Sequence, residues 1–139
     1  MIIRKFKAKD AKEVACLISK TYKKFNSLDY FDPKAAKEYI DFFNPKISSV
    51  EKIHEVFSKA TIFYVAVDNG KIIGTIRGTP ERISSLFVEG NQHKKGIGKK
   101  LLKKFEKEAI KKGSKLIKLR SQPYSVGFYE KNGYKKQGV

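Results

Sequence analysis

Apolar positions along the chain change their period several times, and each change marks an element. Ile2 to Phe6 suits a short strand. Asp10 then stands as an N-cap before Ala11, Val14, Ala15, Ile18, Tyr22 and Phe25, whose spacing predicts an amphipathic helix over 10–24. Asp32-Pro33 opens a second helical stripe through Ala36, Tyr39, Ile40 and Phe43, which Asn44-Pro45 ends. Ser49 caps a third, carrying Ile53, Val56 and Phe57. The helical spacing then ends. Thr61 to Val67 reads as a strand, Asp68-Asn69-Gly70 as a hairpin turn, and Lys71 to Gly78 as the returning strand. Pro80 and Glu81 turn the chain into a further strand over 83–88.

From Gly98 a helical period returns in Leu101, Leu102, Phe105, Ala109 and Ile110, with lysines between them. Lys115 to Arg120 is one more strand, and the residues after Gly133 allow one short strand. Strands and helices in this order predict an α/β (α+β type) domain. Its sheet is mixed and mostly antiparallel, with helices on both faces and a shortened C-terminal strand pair. Residues 1–139 form one domain with neither internal repeat nor low-complexity linker.

A strand, a glycine loop and a helix start follow one another between Ile83 and Ile110. The first amides of a helix lack intrahelical partners and lie at the positive end of its dipole, so this arrangement suits an anion. Gly96 and Gly98 allow close approach and dihedrals closed to other residues. The third glycine of the dinucleotide fingerprint is absent, as is the Gly-Lys-Ser/Thr of a P-loop.

His93-x-x-Gly96-x-Gly98 resembles motif A of the GNAT N-acetyltransferase superfamily, with His where Gln or Arg is usual. Gln122-Pro123-Tyr124-Ser125-Val126-Gly127-Phe128-Tyr129-Glu130-Lys131-Asn132-Gly133-Tyr134 is similar to motif B of the same family. Gln122 replaces its Asn, Ser125 its Ala and Tyr134 its Phe. The resemblance covers the last two-fifths of the chain closely and the first half only in the order of elements.

The resemblance implies acetyl-CoA as co-substrate. The diphosphate falls to the loop residues His93, Lys94, Lys95, Gly96, Ile97, Gly98 and Lys99, and the backbone of Leu86, Phe87 and Val88 meets the thioester and pantetheine. Gln122 and Phe128 join the cofactor site from motif B. The motif B tyrosine maps onto Tyr129 as general acid, against the plainer reading of an aromatic that only packs beside Phe128. The expected reaction is direct acetyl transfer to a primary amine, carried by a small molecule or a peptide.

No general base emerges. Ile117 occupies the position where some relatives carry Glu; Glu81, Glu89, Asp29 and Asp32 qualify only by residue type, and His54 is a surface or packing residue. A water-relayed base or a partly neutral amine would serve. The family's usual further strand is missing here, which leaves an edge for a homodimer or a more open site. The variable segment over 26–59 is the one that shapes the acceptor site in the family.

Composition adjusts this picture in three ways. Lys and Arg number 31 against 14 Asp and Glu, a formal net charge of +17. Residues 91–139 carry 15 of those cations against 3 carboxylates. CoA phosphates account for part of that excess, and solvated helix faces for most of the rest. A nucleic-acid partner is disfavoured by the scarcity of Arg, the usual base reader. It survives in the competing reading, a non-catalytic module binding acyl-CoA or nucleic acid on the same fold. One cysteine, Cys16, excludes an internal disulfide or a cysteine zinc cluster, and no metal-ligand spacing stands out. Neither a membrane span nor a signal peptide is visible, so a cytoplasmic protein without a membrane partner is the expectation.

Overall fold

The computed structural model describes residues 1–26, 33–90, 96–120 and 126–135; the side chains of residues 25 and 26 are not among those described. In chain order the elements are β1 (Ile2–Lys5), a 3-10 turn (Ala8–Asp10), α1 (Ala11–Asn26), α2 (Pro33–Phe43) and α3 (Val50–Phe57). They continue with β2 (Ile62–Asp68), β3 (Lys71–Thr79), β4 (Arg82–Val88), α4 (Ile97–Lys111), β5 (Lys118–Leu119) and α5 (Val126–Lys131). The five strands form one sheet in the order β1-β2-β3-β4-β5. Each of the first four is antiparallel to its neighbour among them, and β5 is parallel to β4. The predicted mixed, mostly antiparallel sheet is therefore the observed one.

Strand alternation sorts the core into two layers. On β2, Ile62, Tyr64 and Ala66 face α4, whose Ile97, Leu101, Leu102, Phe105 and Ala109 are buried against them. Phe63 and Val65 face the other way, toward Val14 and Ile18 of α1, Phe43 of α2, and Ile53 and Phe57 of α3. Gly74 of β3 lets α4 lie close, since a Cβ there would come within 3.0 Å of Leu101 Cδ1 and 3.2 Å of Ile97 Cγ2. The hairpin between β2 and β3 turns at Asn69 and Gly70, both at positive φ, as its Asn-Gly pair predicts.

Three local expectations are corrected. Ile110 is 67% exposed, and Ile97 takes the buried place at the other end of α4. At about 100° per residue, position 110 lies opposite Leu101 and so off the apolar stripe. Asp10 does not cap α1 in the forward direction. Its carboxylate turns back to accept from the Lys7 amide at 2.8 Å and from Arg4 Nη1 and Nη2 at 2.8 and 3.0 Å. The strand expected over 115–120 shrinks to Lys118–Leu119.

The neighbouring strand β4 is itself irregular. Arg77 pairs with Ser85, but the next residue, Gly78, pairs with Ile83, so Ser84 is an extra residue that bulges from the ladder. The bulge inverts the facing of everything after it. Ile83 and Phe87 would share a face in an uninterrupted strand, yet Ile83 packs under α4 while Phe87 packs with α1. Among the described residues β5 pairs with β4 on two rungs, Arg82 to Lys118 and Ile83 to Leu119.

Candidate active site

The loop-to-helix junction at α4 has the geometry that its glycines foretell. Gly96 is the N-cap, left-handed at φ 72° and ψ 17°. Nothing lies within 4 Å of where its Cβ would stand, so backbone conformation rather than crowding calls for glycine there. Lys100 N donates to Gly96 O at 3.1 Å, and the amides of Ile97, Gly98 and Lys99 precede that first rung. The Ile97 side chain is buried in the core, so its backbone alone is available to a ligand, while Lys99 is exposed.

Gly98 is the meeting point of three segments. A Cβ on it would lie 3.4 Å from Phe128 Cζ and 3.7 Å from Val88 Cγ2. The strand before the loop, the start of α4 and the α5 helix of the second motif thus converge on one small residue. Leu86 is half-buried, whereas Phe87 and Val88 are buried. One edge of this stretch is paired to β3, through Ile76 with Leu86, Thr75 with Phe87 and Gly74 with Val88. On the other edge β5 stops at Ile83, and among the described residues no strand continues beside Leu86–Val88. His93, Lys94, Lys95 and Gln122 lie outside the described residues.

Tyr129 is buried at 9% exposure, edge-on to Phe128 at 5.2 Å and to Tyr134 at 5.8 Å between ring centroids. It lines an open groove of about 930 Å³ together with Ile117, Leu119, Val126 and Tyr134. Tyr134 Oη donates to Glu106 Oε2 at 2.8 Å, which fastens the exit of α5 to α4. Burial first, then that hydrogen bond and the charges of Glu106 and Tyr129, push the Tyr134 phenol well above its ordinary value, so it remains a donor.

The carboxylates proposed by type are placed elsewhere. Glu81 is exposed, Glu89 pairs with Lys71 at 3.1 Å, and Asp29 and Asp32 lie outside the described residues. Ile117 is half-buried against the α4-side core. His54 lines a separate cavity of about 390 Å³ with Tyr64, Glu108 and Lys112, below the start of β2. No group of three or more His, Cys, Asp or Glu placed to hold a metal occurs among the described residues.

Arg77 is the residue that sequence reasoning missed. It is 7% exposed in the middle of the sheet, and Nη1 donates to Ser85 Oγ at 2.7 Å. Its Cζ lies 5.2 Å from the centroids of both Phe43 and Phe57, and the Tyr39 side chain hydrogen-bonds it as well. Burial lowers its pKa from the ordinary arginine value, partly offset by Tyr39. A signal was available: an arginine inside the apolar run of β3, on the inward phase of the alternation.

The model of the family described as "Acetyltransferase (GNAT) domain" matches residues 29–139. The chain belongs to the GNAT acetyltransferase family. Solved GNAT structures share its fold along nearly its whole length. The PaiA N-acetyltransferase of Thermoplasma acidophilum, solved in complex with coenzyme A, is 24% identical with a TM-score of 0.78, over 99% of this chain and 91% of that one. A GCN5-related N-acetyltransferase from Rhodopseudomonas palustris gives 19% identity and a TM-score of 0.82, over 99% and 82%. An aminoglycoside 6'-acetyltransferase type Ii gives 27% identity and a TM-score of 0.70, over 99% and 85%. These likenesses extend the GNAT fold to residues 1–28, which the family model does not reach.

Proposed function

We propose that this GNAT domain is an N-acetyltransferase that moves an acetyl group from acetyl-CoA directly to a primary amine. The observation that carries the reading is the convergence of Val88, Gly98 and Phe128, which unites strand, anion-binding helix start and second motif at one place. The presence of coenzyme A in the Thermoplasma acidophilum neighbour supports the same cofactor here. The residues fit it, since a left-handed Gly96 with open space around it leaves the helix-start amides approachable.

Acetyl-CoA supplies the acyl carbon as an activated thioester. In this reading the amides of Ile97, Gly98 and Lys99 hold the diphosphate, with the Lys99 ammonium beside them. The backbone of Leu86–Val88 meets the pantetheine and the thioester and offers an amide to the oxygen on which charge develops. Tyr129 gives its phenolic proton to the departing sulfur. The acceptor must arrive with its amine neutral or lose a proton through water, because Ile117 cannot accept one.

Calorimetric titration of the chain with acetyl-CoA, desulfo-CoA and ADP at near-physiological salt tests the cofactor. Low-micromolar binding that survives salt and is lost in Gly96→Asp supports the reading. Absence of saturable binding overturns it and brings salt-dependent nucleic-acid binding forward. With an acceptor found by an amine screen, Tyr129→Phe is expected to lower turnover by about a hundredfold while leaving acetyl-CoA affinity within a few-fold. Unchanged turnover would reduce Tyr129 to a packing residue.

A further inference from the structure

The cavity beside His54 has no part in acetyl transfer as read above. It measures about 390 Å³ and lies where β1 ends and β2 begins, at the C-terminal ends of α3 and α4. That volume falls in the range of sites for small molecules. The cofactor is assigned to the other end of α4, and fifteen helical residues put the two ends about 21 Å apart. In the sheet, β3 separates β2 from β4.

Two kinds of lining meet there. One is aromatic: Phe6 and Phe63 stack at 3.9 Å between ring centroids, and Phe57 stands edge-on to them at 5.6 and 5.2 Å. The other is ionisable, and Glu108 is its one carboxylate. Glu108 is already engaged. It lies 4.0 Å from Lys112 Nζ and against the Tyr64 phenol, whose pKa is raised by burial first and by Glu108 next. Lys5 and His54 differ, since among the described residues neither side chain has a hydrogen-bond or ion-pair partner. Helix C-termini favour basic side chains, which accounts for Lys112 and for His54 in the last turn of α3. It does not account for Lys5 of β1, nor for open space left against three phenylalanine rings. The unengaged groups are N–H donors, three on the Lys5 ammonium and at least one on His54. An amine would meet like charge at Lys5. A carboxylate would gain charge-assisted hydrogen bonds, with the rings beside it for an apolar body.

We propose that this cavity is a second ligand site, taking a small apolar carboxylate whose body packs against Phe6, Phe57 and Phe63 and whose oxygens accept from Lys5 and His54. The site stands independently of the acetyl-CoA reading. To test it, the amide resonances of the full chain are followed at near-physiological salt during titration with phenylacetate. Phenylacetamide, phenethylamine and acetate are titrated in parallel, to vary the charge and then the apolar body. The titration is repeated on Lys5→Met, on His54→Leu and on Ala60→Trp, which fills the cavity from its half-buried rim. Thermal melting and acetyl-CoA affinity are recorded for each.

The expected result is saturable phenylacetate shifts centred on Phe6, Ser58 and Thr61, with binding about tenfold tighter than that of each comparison compound. Lys5→Met and His54→Leu each weaken it by about tenfold, and Ala60→Trp removes it, while acetyl-CoA titrates as it does in the unaltered chain. Absence of saturable shifts at those three residues overturns the inference. So does equal binding of phenylacetamide, or phenylacetate binding that is unchanged in both Lys5→Met and His54→Leu. Shifts confined to the Gly98 and Lys99 amides also overturn it, by assigning the carboxylate to the start of α4. Should Ala60→Trp fail to fold, the two donor variants decide, because each replaces a side chain that holds nothing else in place.

Discussion

At the scale of single residues, Asp10 shows how one carboxylate closes a local structure. It accepts a forked pair of bonds from Arg4 and one from the Lys7 amide, so β1 and the turn before α1 are clipped together. The hydrogen bond from Arg4 outweighs the opposing effect of burial and holds the Asp10 carboxyl below its ordinary 3.8. A depressed folded value means that the stabilisation is present above 3.8 and is lost as pH falls through the lower folded value. Asp10→Asn should cost about 2 kcal/mol at pH 7, less than a wholly buried pair because Arg4 is partly exposed. Urea denaturation of both proteins should show that gap closing below pH 3.8 and unchanged between pH 6 and 8. A gap that stays constant into acid would assign the effect to packing.

Elements are held in place here by glycines as much as by apolar stripes. A Cβ at Gly78 would stand 2.0 Å from Arg82 O and 3.0 Å from Ile83 Cα, both backbone atoms that cannot swing aside. Gly78→Ala should therefore destabilise by about 3 kcal/mol or more, through displacement of β4 rather than through loss of a contact. Its effect should be visible as weakened protection of the β3 and β4 amides in hydrogen exchange, with α1 unaffected. Gly98→Ala is a milder case, since its nearest neighbour is the Phe128 ring at 3.4 Å, an ordinary contact. The comparison separates glycine used for strand approach from glycine used to seat a ring.

For the molecule as a whole, the net charge of +17 is concentrated in residues 91–139. On α4, Lys99, Lys100, Lys103, Lys104, Lys107 and Lys111 are all exposed on the flank away from the core. The two carboxylates of the helix are engaged, Glu106 by Tyr134 and Glu108 near Lys112. Such a field accelerates the encounter with a polyanionic ligand and is screened by salt. Stopped-flow binding of acetyl-CoA should show an association rate that falls about tenfold between 50 mM and 0.5 M salt, with dissociation much less affected. An equal effect on both rates would mean that the lysines do not steer. Among the described residues no helix is long and apolar enough to cross a membrane.

Periodicity determined most of the elements, because burial on one face imposes a period of two or 3.6 on the residues themselves. Ser49 accepting from Lys52 N, the Asn69-Gly70 turn and the α4 stripe from Leu101 to Ala109 are all visible in the sequence for that reason. The glycine start of α4 was legible too, since left-handed Gly96 is a local demand. The contact of Gly98 with Phe128 was not legible, because it joins residues thirty apart through the sheet. The same holds for the bulge at Ser84, the shortening of β5 and the burial of Arg77. Each depends on register between neighbouring strands, and register is decided by which pairs of side chains share a face once the sheet has formed. Local sequence thus specified the helices, the strands and the glycine start of α4, while tertiary packing decided how β4 runs between its neighbours.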